Sequence, residues 1–270
     1  MSARPGLSLI INTFNQPEYL ARVLRAVSNQ RSKPEEVLVA DDGSGRETRA
    51  VFQEWAGRET LTTRHVWQPH EGFRRARILN QAIAAATQPY VVFLDGDTVP
   101  HPDFLADHRR LARPGAFIQG HRALVQEQGA ANFGRGEFRC DRRQAMWRGQ
   151  IRGVKHAFRW PRPLLRRRGD LEGIRGCNLG IWREDLLRVN GYNEAFEGWG
   201  REDSELAVRL MNCGIERFDA RGWALCFHLW HPPAPRERLH ANDDLLERAI
   251  REKATRCARG LDQYLSPSAS

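Results

Sequence analysis

The sequence predicts an α/β protein, a mainly parallel sheet with helices on both faces. Three observations carry this reading. Short apolar runs at 7–11, 36–40 and 90–94 are rich in Val, Ile and Leu, as strands buried on both faces are. The stretches between them repeat apolar residues at helical spacing. Strand-like and helix-like segments also alternate, which favours parallel strands joined by crossover helices.

In order, residues 7–11 read as the first strand and 12–16 as a polar turn. Pro17 opens a helix whose apolar face is Tyr19, Leu20, Val23, Leu24 and Val27. The second strand closes on Asp41, Asp42, Gly43 and Ser44. A helix is expected at 47–55, a short strand at 62–67, and a third helix at 75–86 packed through Ile78, Leu79, Ala82 and Ile83. Strand 90–94 then delivers Asp95, Gly96 and Asp97. Past this point the pattern is less regular. A strand is expected at 179–183, a helical turn at 184–189, and a helix at 203–212 with Gly214 as its C-cap. A strand at 223–229 runs out through His228, Trp230, His231 and Pro232. From Asn242 an amphipathic basic helix follows, and the last six residues read as disordered. This divides one domain into a first half at 1–120, a second half at 121–235 that includes the basic segment, and a tail at 236–270.

With 270 residues and 41% hydrophobic content, the chain has ample material for a core. No stretch approaches the roughly 18 apolar residues of a membrane span. No signal-peptide pattern precedes Leu7, so a cytoplasmic protein is expected, free or peripheral on the inner face of the membrane. The five cysteines are scattered and odd in number, which points to buried thiols rather than a disulfide framework or a zinc site. The net charge of +9 is local: residues 132–170 hold twelve Lys or Arg against three acids, and the remainder is neutral. That segment, with Trp147, Phe158 and Trp160 among its arginines, is expected to meet an anionic partner. The candidates are a phosphorylated acceptor or an anionic membrane face; nucleic acid is not expected.

Polar clusters close four of the expected strands: Thr13 with Asn15, Asp41 with Asp42, Asp95 with Asp97, and His228 with His231. Carboxyl ends of parallel strands share one edge, where ligands bind, so the first three clusters can face one crevice. No G-x-G-x-x-G or Walker A pattern is present. What remains is a nucleotide held through carboxylates and a hard divalent cation.

Taken in order, residues 11–15, 39–44, 77–80 and 94–97 resemble the nucleotide-sugar domain of family 2 glycosyltransferases with the GT-A fold. Residues 196–203 are similar to the W-G-x-E-D region of galactosyltransferases and chondroitin-type polymerases. The resemblance implies an inverting transferase that uses a nucleotide-sugar donor, UDP-linked, and a glycan or glycolipid acceptor. It also implies Mn²⁺ or Mg²⁺ as cofactor, and a place in bacterial cell-surface polysaccharide or lipopolysaccharide synthesis. Asp97, with His228 and His231, would hold the metal. Asp95 would support the ribose or the metal, and Asp41 the uracil or ribose. Thr13, Asn15 and Arg77 would line the donor pocket, and Gly176 and Asn178 would face the donor sugar. Asp203 would be the base that takes the acceptor hydroxyl proton, with Glu202 binding acceptor hydroxyls. Trp199 and Gly200 would meet a sugar ring.

Plainer readings stand beside these. Asp41 could close a turn, Asn15 or Asp203 could cap a helix, and Arg77 could lie on a solvated face. For the whole chain the alternatives are a non-catalytic nucleotide- or sugar-binding protein on the same fold, and a sugar nucleotidyltransferase.

Overall fold

A computed structural model describes residues 4–265. The expected disorder of the last six residues falls on 266–270, outside the described residues, and on Leu265 alone within them. The strands are β1 (Leu7–Thr13), β2 (Glu36–Asp41), β3 (Thr62–Trp67), β4 (Tyr90–Asp95), β5 (Thr98–Pro100), β6 (Ala116–Gly120), β7 (Arg122–Val125), β8 (Ile151–Arg152), β9 (Leu164–Arg168), β10 (Asn178–Trp182), β11 (Glu216–Arg221) and β12 (Cys226–Leu229). The α-helices are α1 (Pro17–Ser28), α2 (Arg46–Ala56), α3 (Arg75–Ala85), α4 (Phe104–Leu111), α5 (Glu127–Ala130), α6 (Phe138–Trp147), α7 (Arg183–Arg188), α8 (Glu202–Asn212) and α9 (Leu239–Arg251).

The main sheet has the order β3-β2-β1-β4-β10-β6-β11-β9. The first four strands are parallel, in register Ile11–Val39 and Ile11–Leu94. Alternation along these runs feeds two apolar layers. Leu9, Ile11, Val37, Val39, Val92 and Leu94 meet Leu20, Val23, Leu24 and Val27 of α1 on one side. Ile10, Leu38, Val91 and Phe93 meet Ile78, Leu79 and Ile83 of α3 and Leu206 and Leu210 of α8 on the other. A sheet covered on both faces explains why these strands read as continuous apolar runs.

Two features position the crevice. First, β10 runs antiparallel between β4 and β6. Its first residue therefore lies at the carboxyl edge of the parallel strands, and the residues just before it, Gly176 and Cys177, arrive there too. The expected strand at 179–183 is found, shifted by one residue.

Second, a smaller sheet, β5-β12-β7-β8, begins with the strand that follows Asp97. Within it, β12 pairs antiparallel with β5, placing His228 opposite Thr98, and Leu229 N–H donates to the Asp97 carbonyl at 2.9 Å. The strand expected at 223–229 begins only at Cys226, because Gly222 (φ 79°) and Ala224 (φ 49°) turn the chain first. The basic segment holds α6, β8 and β9.

Candidate active site

The Asp95-Gly96-Asp97 turn crosses the end of β1. Gly96 N–H donates to the Asn12 carbonyl at 2.7 Å, and a Cβ on Gly96 would lie 2.9 Å from Thr13 Oγ1. Only glycine lets the turn pass so close. Thr13 is accordingly buried, its hydroxyl oxygen without a partner.

Asp97 and both histidines come together. Asp97 Oδ2 lies 3.1 Å from His231 Nε2, and Oδ1 lies 3.6 Å from His228 Nε2. The three ligating atoms all fall within 4.8 Å of one another. Burial lowers His228 to about 4, leaving a neutral imidazole free to ligate. His231 is raised by its hydrogen bond with Asp97. Despite its burial, Asp97 is held below the usual carboxylate value by that bond and by the nearby His228. One carboxylate and two imidazoles at this spacing suit a divalent first-row metal ion. Tyr19 OH fixes the exit of β12 by donating to the Trp230 carbonyl at 2.8 Å.

Deeper in the crevice stands Arg75, the first residue of α3, with its side chain only 8% exposed. Its guanidinium binds Asp203 at 2.9 Å, Glu202 at 3.0 Å and Asp95 at 3.2 Å. Burial opposes its charge, but the three carboxylates more than offset this and raise it well above its ordinary value. Asp203 is held from a second side, where Gly176 N–H donates to its Oδ2 at 2.7 Å. Burial pushes Glu202 up to about 7, helped by the adjacent Asp203 charge, and one of its oxygens, Oε2, has no partner. Burial likewise pushes Asp95 up to about 6. Two neighbouring carboxyl groups thus sit in different environments, Glu202 enclosed and Asp203 facing the crevice.

The structure separates the other expected residues. Asp203 does not cap α8: Arg201 occupies the N-cap in a left-handed conformation, and the carboxylate points at Gly176. Asn15 caps no α1 amide either. It takes φ 46° and accepts from Gly45 N–H at 2.9 Å, tying the end of β1 to the start of α2. Asp41 is fully buried with both oxygens in use, one accepting from Ser44 N–H at 2.8 Å and the other 2.9 Å from His65 Nε2. It closes the turn after β2 instead of presenting a carboxylate to the crevice. Asp42 is engaged by Gln68 and Arg74 N–H in the same manner.

Arg77 lies near Tyr264, and Arg75 is the α3 arginine whose guanidinium reaches Asp95 and Asp203. Asn178, expected to face the donor sugar, is placed in the interior. It is fully buried, its Oδ1 2.9 Å from His108 Nε2 and its amide donating to the Ala224 carbonyl at 2.7 Å and the His121 carbonyl at 3.1 Å. Gly200 is explained by packing: it takes φ 105°, a Cβ there would lie 3.2 Å from Leu239 Cδ1, and its carbonyl accepts from Asn242 at 2.9 Å. Trp199 remains 40% exposed, with the Arg236 guanidinium 5.0 Å from its ring centre.

Two basic residues join the site unforeseen. Arg122, at the start of β7, lies 3.5 Å from Cys177 Sγ; burial opposes its charge, but Cys177 and then Asp95 raise it above its ordinary value. Arg75 carried a signal: it stands three and four residues before Ile78 and Leu79, on the apolar face of α3, where a cation needs buried partners.

Residues 8–172 match the sequence profile described as glycosyl transferase family 2. The chain belongs to that family. Residues 161–231 of this family 2 chain also match a profile described as the N-terminal domain of galactosyltransferase. Among characterised relatives, validoxylamine A glucosyltransferase of Streptomyces hygroscopicus subsp. limoneus is 30% identical, the match covering 87% of this chain and 53% of that one. Chondroitin synthase of Escherichia coli is 27% identical over 83% of this chain and 34% of its own. The chain thus spans a third to about half the length of these relatives.

Among solved structures, Staphylococcus aureus TarS superposes with a TM-score of 0.65 at 14% identity, covering 96% of this chain and 41% of that one. A mannosyltransferase from Pyrobaculum calidifontis, in complex with GDP-Man and Mn²⁺, gives 0.57 at 19% identity over 94% and 73%. The fold is that of GT-A glycosyltransferases. Among the described residues no helix is long and apolar enough to cross a membrane.

Proposed function

We propose that the protein is an inverting, metal-dependent glycosyltransferase that moves a sugar from a UDP-linked donor to a glycan or glycolipid acceptor of a bacterial cell surface. The observation that carries this reading is the pairing, in one crevice, of the Asp97, His228 and His231 trio with an Asp203 carboxylate clamped by Arg75 and Gly176 N–H. In this reading Asp203 accepts the proton of an acceptor hydroxyl. The hydroxyl oxygen attacks the anomeric carbon from the face opposite the nucleoside diphosphate, which leaves with the bonding pair, so the centre inverts. Asp203 suits the task because Arg75 and the Gly176 amide fix its direction before the acceptor arrives. Mn²⁺ or Mg²⁺ held by Asp97, His228 and His231 would neutralise the departing diphosphate. The unpartnered Glu202 Oε2 and the exposed face of Trp199 are left to meet acceptor hydroxyls and a sugar ring.

The test is calorimetric titration of UDP with and without Mn²⁺, on the wild type and on Asp97→Ala. Metal-dependent binding that the substitution abolishes is expected, followed by release of UDP from a UDP-sugar when acceptor is added. Absence of UDP binding under both conditions rejects the UDP donor. Release of pyrophosphate would instead identify a nucleotidyltransferase.

A further inference from the structure

The local charge excess has a definite shape in the fold. Arg135 is paired with Glu18, Arg159 with Asp107, Arg167 with Glu216, and Arg168 with Asp170 and Glu172. The three acids of the segment are nearly all engaged from within: Asp141 accepts from Gly134 N–H at 2.9 Å and Gly136 N–H at 3.0 Å, and Asp170 is bound by Arg168 at 2.8 Å. Glu137, at the N-cap of α6, is the one left at the surface beside that helix.

Along α6 the inner side is set by Ala145, which is buried, and by Phe138 and Met146, which pack on the core. The outer side carries Arg139, Arg143 and Trp147 at spacings of four residues, one helical face, with Arg148 following. These three arginines are exposed and form no ion pair among the described residues. Trp147 is 86% exposed, more than any other large apolar side chain described.

We propose that this face of α6 docks the protein on an anionic lipid surface, with Trp147 entering the headgroup layer and Arg139, Arg143 and Arg148 lying against lipid phosphates. A tryptophan among arginines on a convex helix is what a membrane interface accepts, because the ring has an apolar body and a polar N–H. A nucleic-acid stacking site would present its aromatic within a groove or on a sheet. Trp147 stands at the end of a helix, almost wholly free of neighbours, and a planar lipid surface needs no second wall. The face is also held on the same unit as the metal trio. The loop before α6 is fastened to α1 by Arg22, which donates to the Phe133 carbonyl at 3.3 Å and to the Ala130 carbonyl, while Tyr19 of the same helix holds Trp230.

Flotation with phosphatidylcholine vesicles, with and without phosphatidylglycerol, at low and high salt, tests this. The wild type is expected to bind only the anionic vesicles and to be released by salt. At about fivefold per charge, Arg139→Ser/Arg143→Ser/Arg148→Ser is expected to lower partitioning on the order of a hundredfold, while the triple lysine variant retains it. Quenching by brominated lipid is expected in the wild type and lost in Trp147→Phe. Equal binding to neutral vesicles, unchanged binding by the serine variant, or capture of short RNA in place of vesicles overturns the proposal. UDP titration of the same variants separates this surface from the donor site: it is expected to be unaltered. Failure of the wild type to bind UDP would reject the donor and leave lipid docking standing.

Discussion

Replacing Arg75 by methionine removes the one charge that three acids share. At an effective dielectric of about 20, unit charges about 4 Å apart attract by about 4 kcal/mol, so three carboxylates together offset the burial of one guanidinium. The substitution keeps most of the side-chain volume but leaves Glu202 and Asp203 without their counter-charge, and Asp95 with Arg122 alone. Breaking such a buried arrangement costs about 3–5 kcal/mol, measured as a fall in the urea midpoint near pH 8. The deficit depends on pH with a definite sign. Glu202 stands at about 7 in the fold against an ordinary 4.5, so it binds its proton more tightly folded than unfolded. Its contribution favours folding below that ordinary value and is lost as pH rises through about 7. Without Arg75 its carboxyl moves higher still, so the variant's deficit is largest above pH ~8 and shrinks toward pH ~5. Transfer activity is expected to fall ~10²-fold or more in kcat, because the base loses one of its two anchors. Arg75→Lys restores the charge but not the fork of donors, so it recovers stability more than kcat. A methionine variant with the wild-type midpoint at both pH values, or with a deficit that does not change between them, would refute the shared-charge account.

Four further outcomes follow from the same geometry. Asp203→Asn removes the basic oxygen while keeping the shape, so kcat is expected to fall ~10²–10⁴-fold with metal and UDP binding retained, read by steady-state kinetics beside calorimetry. His231→Gln deletes one of the three ligating atoms, and Mn²⁺ affinity measured by titration is expected to drop at least ~10-fold, with His228→Gln doing the same. In Gly176→Ala the new Cβ would lie 2.3 Å from Asp203 Oδ1, so kcat is expected to fall while the circular dichroism spectrum is unchanged. Asn178→Ala leaves buried partners unsatisfied and is expected to cost about 2–3 kcal/mol in chemical denaturation, with the KM for donor unaltered in the folded protein.

The parallel core was open to reading because its strands are covered on both faces, which writes Val, Ile and Leu runs directly into the chain. The direction of β10 was not, since an apolar run looks the same whichever way it pairs, and that direction is what brings Gly176 to Asp203. The histidine pair shows the same division. Residues three apart on an unbroken strand point to opposite faces, so spacing alone argues against convergence. His228 and His231 meet at Asp97 only because β12 stops at Leu229 and Tyr19 holds the departing chain by the Trp230 carbonyl. The exchange of Arg77 for Arg75 is a matter of helical phase. Both are arginines near the start of α3, but one shares the buried face with Ile78 and Leu79 and the other lies near Tyr264. Motif order therefore located the crevice, while the assignment of each polar side chain within it depended on burial. Asp41 and Asn178 sit fully inside the protein with their hydrogen bonds made, whereas the Asp203 side chain, held by Arg75 and Gly176 N–H, keeps 19% exposure, and that difference is why the proposed base is Asp203.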